Sequence, residues 1–258
     1  MDCIITVDVE TGEDVPPTLK NFQTRVEKAT KSLLKRLSLH GLKAEFFMNV
    51  YESAVYGESE WGNLCREIVE AGNGVNLHTH PKYLMDDDRK NMYKYALSEQ
   101  IEIVRYGRAF IKKWTNRFPL THRAGHYSAN LNTIKALKEN DILIDSSYYY
   151  GHPNCKLKHG VVNQPFDILG VTELPVSVVC IRRDFPSIPL LRKVWYQRID
   201  LKQVLNLDAS QIDFSPVILT CHSFDVPSAR NLDKVFKNLK KNRDVSTFAK
   251  VVRSRRRV

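Results

Sequence analysis

The 258-residue chain predicts an α/β fold, a single domain built as a parallel barrel of the (β/α) kind. Three observations carry that prediction. Short apolar, largely β-branched runs alternate with stretches of helical periodicity along the whole chain. Seven such runs occur, with no repeat and no low-complexity linker to mark a boundary. Ionisable residues recur at the same end of successive runs, where barrels of this kind carry their reactive groups.

Ile4–Val9 reads as the first strand and Leu19–Leu39 as a helix, with Phe22, Val26, Leu33, Leu34 and Leu37 near one face and Gly41 as its stop. Ala44–Val50 is the second strand, Trp61–Ala71 a helix and Val75–His80 the third strand. A long helix is expected over Asp88–Trp114, then a strand at Pro119–Ala124 and a helix at Leu131–Lys138, capped by Ser128 or Asn130. Ile142–Asp145, Glu173–Val179 and Val217–His222 complete the strands, and one or two helices cover Leu232–Val252. Two stretches, 148–171 and 182–210, break the rhythm and are expected to form long loops around the mouth of the barrel.

At 43% hydrophobic and 26% charged residues, the composition is that of a globular protein. No apolar run approaches the roughly 18–20 residues of a spanning helix, and the N-terminus lacks a signal-peptide pattern, so a cytoplasmic location is expected. Five cysteines without C-x-x-C spacing exclude a disulfide framework and a cysteine zinc site. The net charge of +10 gathers late in the chain, ending in a basic tail from about residue 250. It favours anionic partners, such as a phosphorylated or lipid-linked sugar or an anionic membrane face; no nucleic-acid-binding motif occurs.

The strand ends hold the chemistry. In Thr6-Val7-Asp8-Val9-Glu10, Asp8 and Glu10 share a strand face, and two carboxylates that close both ionise most readily around a cation. His78-Thr79-His80 places two imidazoles on one face, and two histidines with one carboxylate are a common hydrolytic zinc set; iron and other divalent ions accept it too. Arg123 ends the fourth strand and can fork onto a carboxylate, while Gly125 permits a tight turn. Asp145 ends the fifth strand and His222 the seventh; a histidine beside a carboxylate is a candidate general acid. No G-x-S-x-G elbow and no glycine-rich phosphate loop occur.

In this order the motifs resemble those of the polysaccharide deacetylases with a NodB homology domain, carbohydrate esterase family 4. The matching stretches are Thr6–Glu10, His78–Pro81, Arg123–Tyr127, Asp145–Tyr148 and Leu219–His222. The resemblance implies a distorted (β/α)7 barrel and metal-dependent removal of an N-acetyl group from an amino sugar. It implies Asp8 as general base, oriented by Arg123, and His222 as general acid, tuned by Asp145. Glu10, His78 and His80 would hold the divalent ion, zinc foremost, with cobalt, iron or nickel as alternatives. Tyr127 would bring a backbone N–H to the oxyanion. The chain departs from the family pattern twice. Val9 stands where the family has a second aspartate, and Lys82 where it has a second histidine; Glu10 and His80 are the same-face substitutes. A hydrolase of a small non-sugar amide, and a carbohydrate-binding relative without metal, are the alternative readings.

Overall fold

The computed structural model describes residues 2–12, 15–16, 18–84, 88–184, 192–201, 214–228 and 231–255. Its strands are β1 (Asp2–Val9), β2 (Glu45–Met48), β3 (Gly74–Thr79), β4 (Thr121–Ala124), β5 (Ile144–Asp145), β6 (Phe166–Ile168), β7 (Val171–Glu173), β8 (Val178–Asp184), β9 (Arg192–Arg198), β10 (Val217–His222) and β11 (Asp244–Val245). The main sheet runs β10-β1-β2-β3-β4-β5-β7-β6 and is parallel except for the β6–β7 pair at its edge. It curls into a distorted barrel. The seam between β7 and β10 is bridged by backbone: Ile199 N donates to Ser177 O, Thr220 N to Ile199 O and Leu201 N to Thr220 O. Ser177 Oγ also accepts the Ile218 N–H at 2.8 Å.

A strand buried on both faces reads as an unbroken apolar run, and β1 is the case in point. Ile5, Val7 and Val9 pack outward with helix residues such as Val26, Leu33 and Leu37. Ile4 points into the barrel, where it joins Phe47, Ile144, Leu174 and Ile218. That inner cluster is completed by Phe248, Val251 and Val252 from the helix Phe248–Arg255, which stoppers the N-terminal end of the barrel. Thr6 and Asp8 continue the inward face toward the other end, where pleat alternation places every second residue.

Most expected elements form. The first helix is continuous in place but not in kind: Leu19–Asn21, a π-helical stretch Phe22–Glu27 and Lys28–His40 follow one another. Gly41 ends it with φ 64°, accepting the left-handed turn that a Cβ disfavours. The long helix begins at Leu97 rather than near Asp88. The reason lies in Ser128: its Oγ accepts the Met92 N–H and its carbonyl the Tyr93 N–H, tying that segment to the β4 loop. Asn130, not Ser128, caps the helix Leu131–Glu139, its side chain accepting from Thr133 N at 3.0 Å. The expected sixth strand is divided into the end of β7 and the start of β8, because Pro175 between them has no N–H to pair. Of the one or two helices expected at the end of the chain, two form, Leu232–Asn242 and Phe248–Arg255, separated by β11. Of the two expected loops, 148–171 contains β6, and 182–210 contains most of the β8–β9 hairpin; 185–191 and 202–210 lie outside the described residues.

Among the described residues no helix is long and apolar enough to cross a membrane. The cysteines are free; Cys3, Cys65 and Cys221 are buried, Cys180 is exposed.

Candidate active site

Strand register decides which side chains meet. Asp8 pairs in register with His222 and His78 with Arg123, so β1, β3, β4 and β10 deliver their polar residues to one level of the barrel. Glu10, two residues beyond Asp8, joins His78 and His80 in a buried group whose ligand atoms lie within 4.8 Å of one another. Glu10 Oε2 is 2.9 Å from His80 Nε2 and 3.7 Å from His78 Nε2. His78 Nδ1 is turned to the Arg123 carbonyl at 2.9 Å, which leaves Nε2 on the inner side as the ligand atom. Burial holds His78 in its neutral form, with its pKa brought down to about 4. Burial would push Glu10 up, but His80, His78 and His222 outweigh it and hold the carboxyl below its ordinary value. One carboxylate with two neutral imidazoles is a donor set that suits zinc and similar divalent ions.

The group has a built cradle. A Cβ on Gly125 would come within 2.4 Å of His80 Nε2, so only glycine leaves room for the His80 ring. Gly125 therefore serves close approach rather than a tight turn of its own; His126 and Tyr127, at φ 53° and 56°, carry the left-handed backbone. Non-glycine residues adopt that region at a cost, and two in succession beside a cavity mark a functional loop. Lys82 takes no part in the group: its Nζ lies 4.7 Å from the centre of the Tyr83 ring. Behind Glu10, the buried Glu52 carboxyl, its pKa pushed up to about 8 by burial and the Glu10 charge, accepts the Thr11 N–H at 3.1 Å and the Asn49 amide at 3.0 Å, fixing the turn after β1.

Asp8 is gripped from inside the barrel. Arg123 Nη1 donates to Asp8 Oδ1 at 2.7 Å and to Thr6 Oγ1 at 3.0 Å, and the whole guanidinium is buried. Ser146 completes the socket, accepting from Arg123 Nε through its carbonyl at 3.0 Å and from Nη2 through its hydroxyl at 3.1 Å. The Phe47 ring lies 4.2 Å beneath the guanidinium. Burial alone would raise the Asp8 pKa; Arg123, then His78 and His222, reverse the sign and keep Asp8 ionised.

His222 stands across from this pair, with Nε2 3.8 Å from Glu10 Oε1. Its Nδ1 faces Asp225 Oδ2 at 3.4 Å. Desolvation lowers the imidazole pKa, but Asp225, Asp8 and Glu10 together raise it above the ordinary value, favouring the protonated form. Asp145 is not its partner, a correction to the role expected from sequence. Asp145 is fully buried on the far side of β4, in register with His122 and Glu173. It accepts from His122 Nδ1 at 2.8 Å and from Ser147 Oγ at 2.7 Å, and Ser147 in turn accepts the Ala124 N–H. Burial and the Asp145 charge push the Glu173 carboxyl far up, so Glu173 is protonated there. Asp145 thus braces the β4–β5 backbone that holds Arg123, and the β4 strand stands between it and the reactive face.

A cavity of about 250 Å³ opens over these groups. Asp8, Glu10, His78, His80 and His222 line its floor, and Tyr127, His126, His152, Asn154 and Arg198 its sides. His126 lies inside the matching stretch Arg123–Tyr127, without a role of its own there; His152, Asn154 and Arg198 stand outside every matching stretch. Their only signal is position: His152 and Asn154 sit in Gly-His-Pro-Asn on the C-terminal side of a barrel strand, and Arg198 ends an alternating stretch, Trp195-Tyr196-Gln197-Arg198. Asp225 lies three residues past His222, just beyond the matching stretch Leu219–His222.

The fold is that of the NodB-type polysaccharide deacetylases of carbohydrate esterase family 4. Among solved structures it is similar to a protein from Mycobacterium smegmatis provisionally assigned as a polysaccharide deacetylase, with 17% identity, a TM-score of 0.64 and coverage of 98% of this chain and 89% of that one. It is similar to a family 4 pseudoenzyme from Bacillus anthracis at 14% identity and TM-score 0.56, covering 96% of this chain and 64% of that one. A peptidoglycan N-acetylglucosamine deacetylase matches at 16% identity and TM-score 0.54, with 96% and 86% covered. At such identities the likeness is one of fold. No family model and no curated protein matches the chain.

Proposed function

We propose that the chain is a metal-dependent hydrolase that removes the N-acetyl group of an amino sugar. One observation carries the reading: an ionised carboxylate, a raised imidazole and a buried Glu-His-His group converge on one cavity. Glu10, His78 and His80 would hold the divalent ion, which supplies the Lewis acidity that polarises an amide carbonyl and brings the pKa of water from 15.7 to roughly 7. Zinc suits the donor set; cobalt, iron and nickel are accommodated by it.

The remaining chemistry belongs to the protein. Asp8, held ionised by Arg123, takes the proton of the attacking water. His222, charged through Asp225, gives a proton to the departing amine, without which the C–N bond does not break productively. Proton-transfer groups of this kind each contribute about 10²–10⁴ in rate. The backbone N–H of Tyr127 donates to the developing oxyanion. N-acetylated glycans are the substrate class, supported by the sugar amide that the N-acetylglucosamine deacetylase with this fold acts on.

The likeness to a pseudoenzyme keeps one rival in view, a carbohydrate-binding chain without turnover. The base, acid and ligand group described above favour the enzyme. Acetate release from N-acetylhexosamine oligomers, measured with added zinc, cobalt or iron and with chelator, decides between them. The expected result is release that chelator abolishes and that is lost in His78→Ala and Asp8→Asn; binding without release under every metal would overturn the proposal.

A further inference from the structure

Among the described residues, Arg198 is the one permanent cation lining the cavity, and the reaction above does not use it. It is placed with care. Its backbone N–H donates to the Tyr149 hydroxyl at 2.8 Å, and that hydroxyl donates to the Tyr196 carbonyl at 3.2 Å, pinning the end of β9 over the cavity. Its guanidinium donates to the Tyr127 hydroxyl, and its side chain is only 19% exposed. Among the described residues its acidic contact is a single one, Asp200 Oδ2 at 3.4 Å.

A guanidinium carries five N–H donors in a fixed fork, and Tyr127 and Asp200 occupy two of them. Burial works against the charge, but Tyr127, Asp8 and Asp200 outweigh it and keep the guanidinium firmly charged, and its remaining N–H donors make no hydrogen bond among the described residues. The two carboxylates lining the cavity, Asp8 and Glu10, are on the floor and engaged by Arg123 and by His78 and His80. The sides carry His126, His152 and Asn154 beside Arg198, and no acidic side chain among the described residues. A neutral acetamido sugar has nothing that needs such a wall.

We propose that Arg198 selects an N-acetylated sugar that also bears an anionic substituent, a carboxylate or a phosphate, which its guanidinium grips through charge-assisted hydrogen bonds while the acetamido group lies over Glu10, His78 and His80. The inference rests on the deacetylase reading for the acetamido end and adds to it the chemistry of the rest of the substrate. Arg198 is a specificity-determining residue and takes no part in proton transfer.

The test is calorimetric binding to the full chain of three sugars: N-acetylglucosamine, N-acetylmuramic acid with its carboxylate, and N-acetylglucosamine 6-phosphate. At least one anionic sugar should bind about tenfold or more tightly than the neutral one, as expected for one charge-assisted contact. Arg198→Gln should abolish that preference, and Arg198→Lys, which keeps the charge but not the fork, should keep part of it. Which anionic sugar is preferred separates carboxylate from phosphate. Equal affinity for all three sugars in the unaltered protein overturns the proposal. So does an equal loss for all three in Arg198→Gln, the mark of a residue that only holds Tyr127. If Arg198→Gln does not fold, Arg198→Lys decides: an undiminished preference overturns the assignment of the fork. Preference for an anionic sugar without acetate release would sink the deacetylase reading and leave this one standing; acetate release without preference would do the reverse.

Discussion

Replacing Arg123 by methionine tests whether the socket around Asp8 is as tight as its geometry implies. The guanidinium makes four hydrogen bonds of 2.7–3.1 Å from a fully buried position, one of them to a carboxylate that is itself buried. Methionine fills much of the volume and leaves Asp8 without the one cation it hydrogen-bonds, with only the weaker influence of His78, His222 and Arg198 remaining. Removing one partner of a buried pair costs about 3–5 kcal/mol, because the other charge stays behind. An exposed pair such as Lys250–Asp244, with side chains 63% and 60% accessible, is worth about 0.2–1 kcal/mol and serves as the control through Lys250→Met. The assay is urea unfolding at pH 7 with chelator present, so that metal affinity does not enter. Asp8→Asn in the Arg123→Met background should recover about 1–3 kcal/mol, since the two residues share one network. The sign with pH follows from the depressed Asp8 pKa. Its stabilisation is present above the unfolded value near 3.9 and is lost as pH falls through the folded value, so the gap between Arg123→Met and the parent should narrow in acid. A loss below about 1 kcal/mol, or no recovery in the double variant, would refute the claim that Arg123 exists to keep Asp8 ionised.

Three further outcomes are expected. In pH–rate profiles the alkaline limb reports His222, whose activity as an acid is present below its raised pKa and disappears above it; Asp225→Asn should move that limb to lower pH, whereas Asp145→Asn should lower stability and leave the limb in place. Gly125→Ala should displace the His80 ring and weaken metal affinity by about 10–100-fold in a competitive chelator titration, with the fold retained by circular dichroism. Added zinc at 100 times its dissociation constant should stabilise the protein by about 2.7 kcal/mol in thermal melts, an effect absent from Glu10→Gln and His80→Ala.

How much of this was legible beforehand varied with how local the cause was. The strand order needed only alternation of period, and β1, β3, β4 and β10 end close to where their apolar runs end. Glu10 and His80 could be chosen over Val9 and Lys82 because residues two apart share a strand face, and the structure brings them together with His78. Asp145 shows the limit. It does end a barrel strand, but a two-residue strand in register with His122 turns its side chain to the far side, and register is set by pairing across the sheet. The helix boundary at Leu97 was hidden for the same kind of reason, since Ser128 is 36 residues away from the Met92 N–H it accepts. Arg198 was hidden most deeply. The stretch 182–210 is expected at the mouth of the barrel, but nothing in Arg198's neighbours assigns that one side chain to the cavity, and Tyr149, whose hydroxyl receives its N–H, lies 49 residues earlier.

The stopper at the other end of the barrel has a consequence for traffic. Phe248 packs edge-on against Phe47, and Phe47 carries Arg123 above it, so one column of rings and guanidinium fills the axis up to the level of Asp8. Below, the Glu45 carboxyl accepts from Phe248 N and from the Asn76 amide, knitting the stopper to β2 and β3. Among the described residues, the candidate reactive groups therefore sit at the bottom of a blind well. On the deacetylase reading, water, the acyl group to be cut and the acid released from it would all use the one mouth formed by the described residues, in turn, and a glycan would lower only one substituent into it while its chain stays outside.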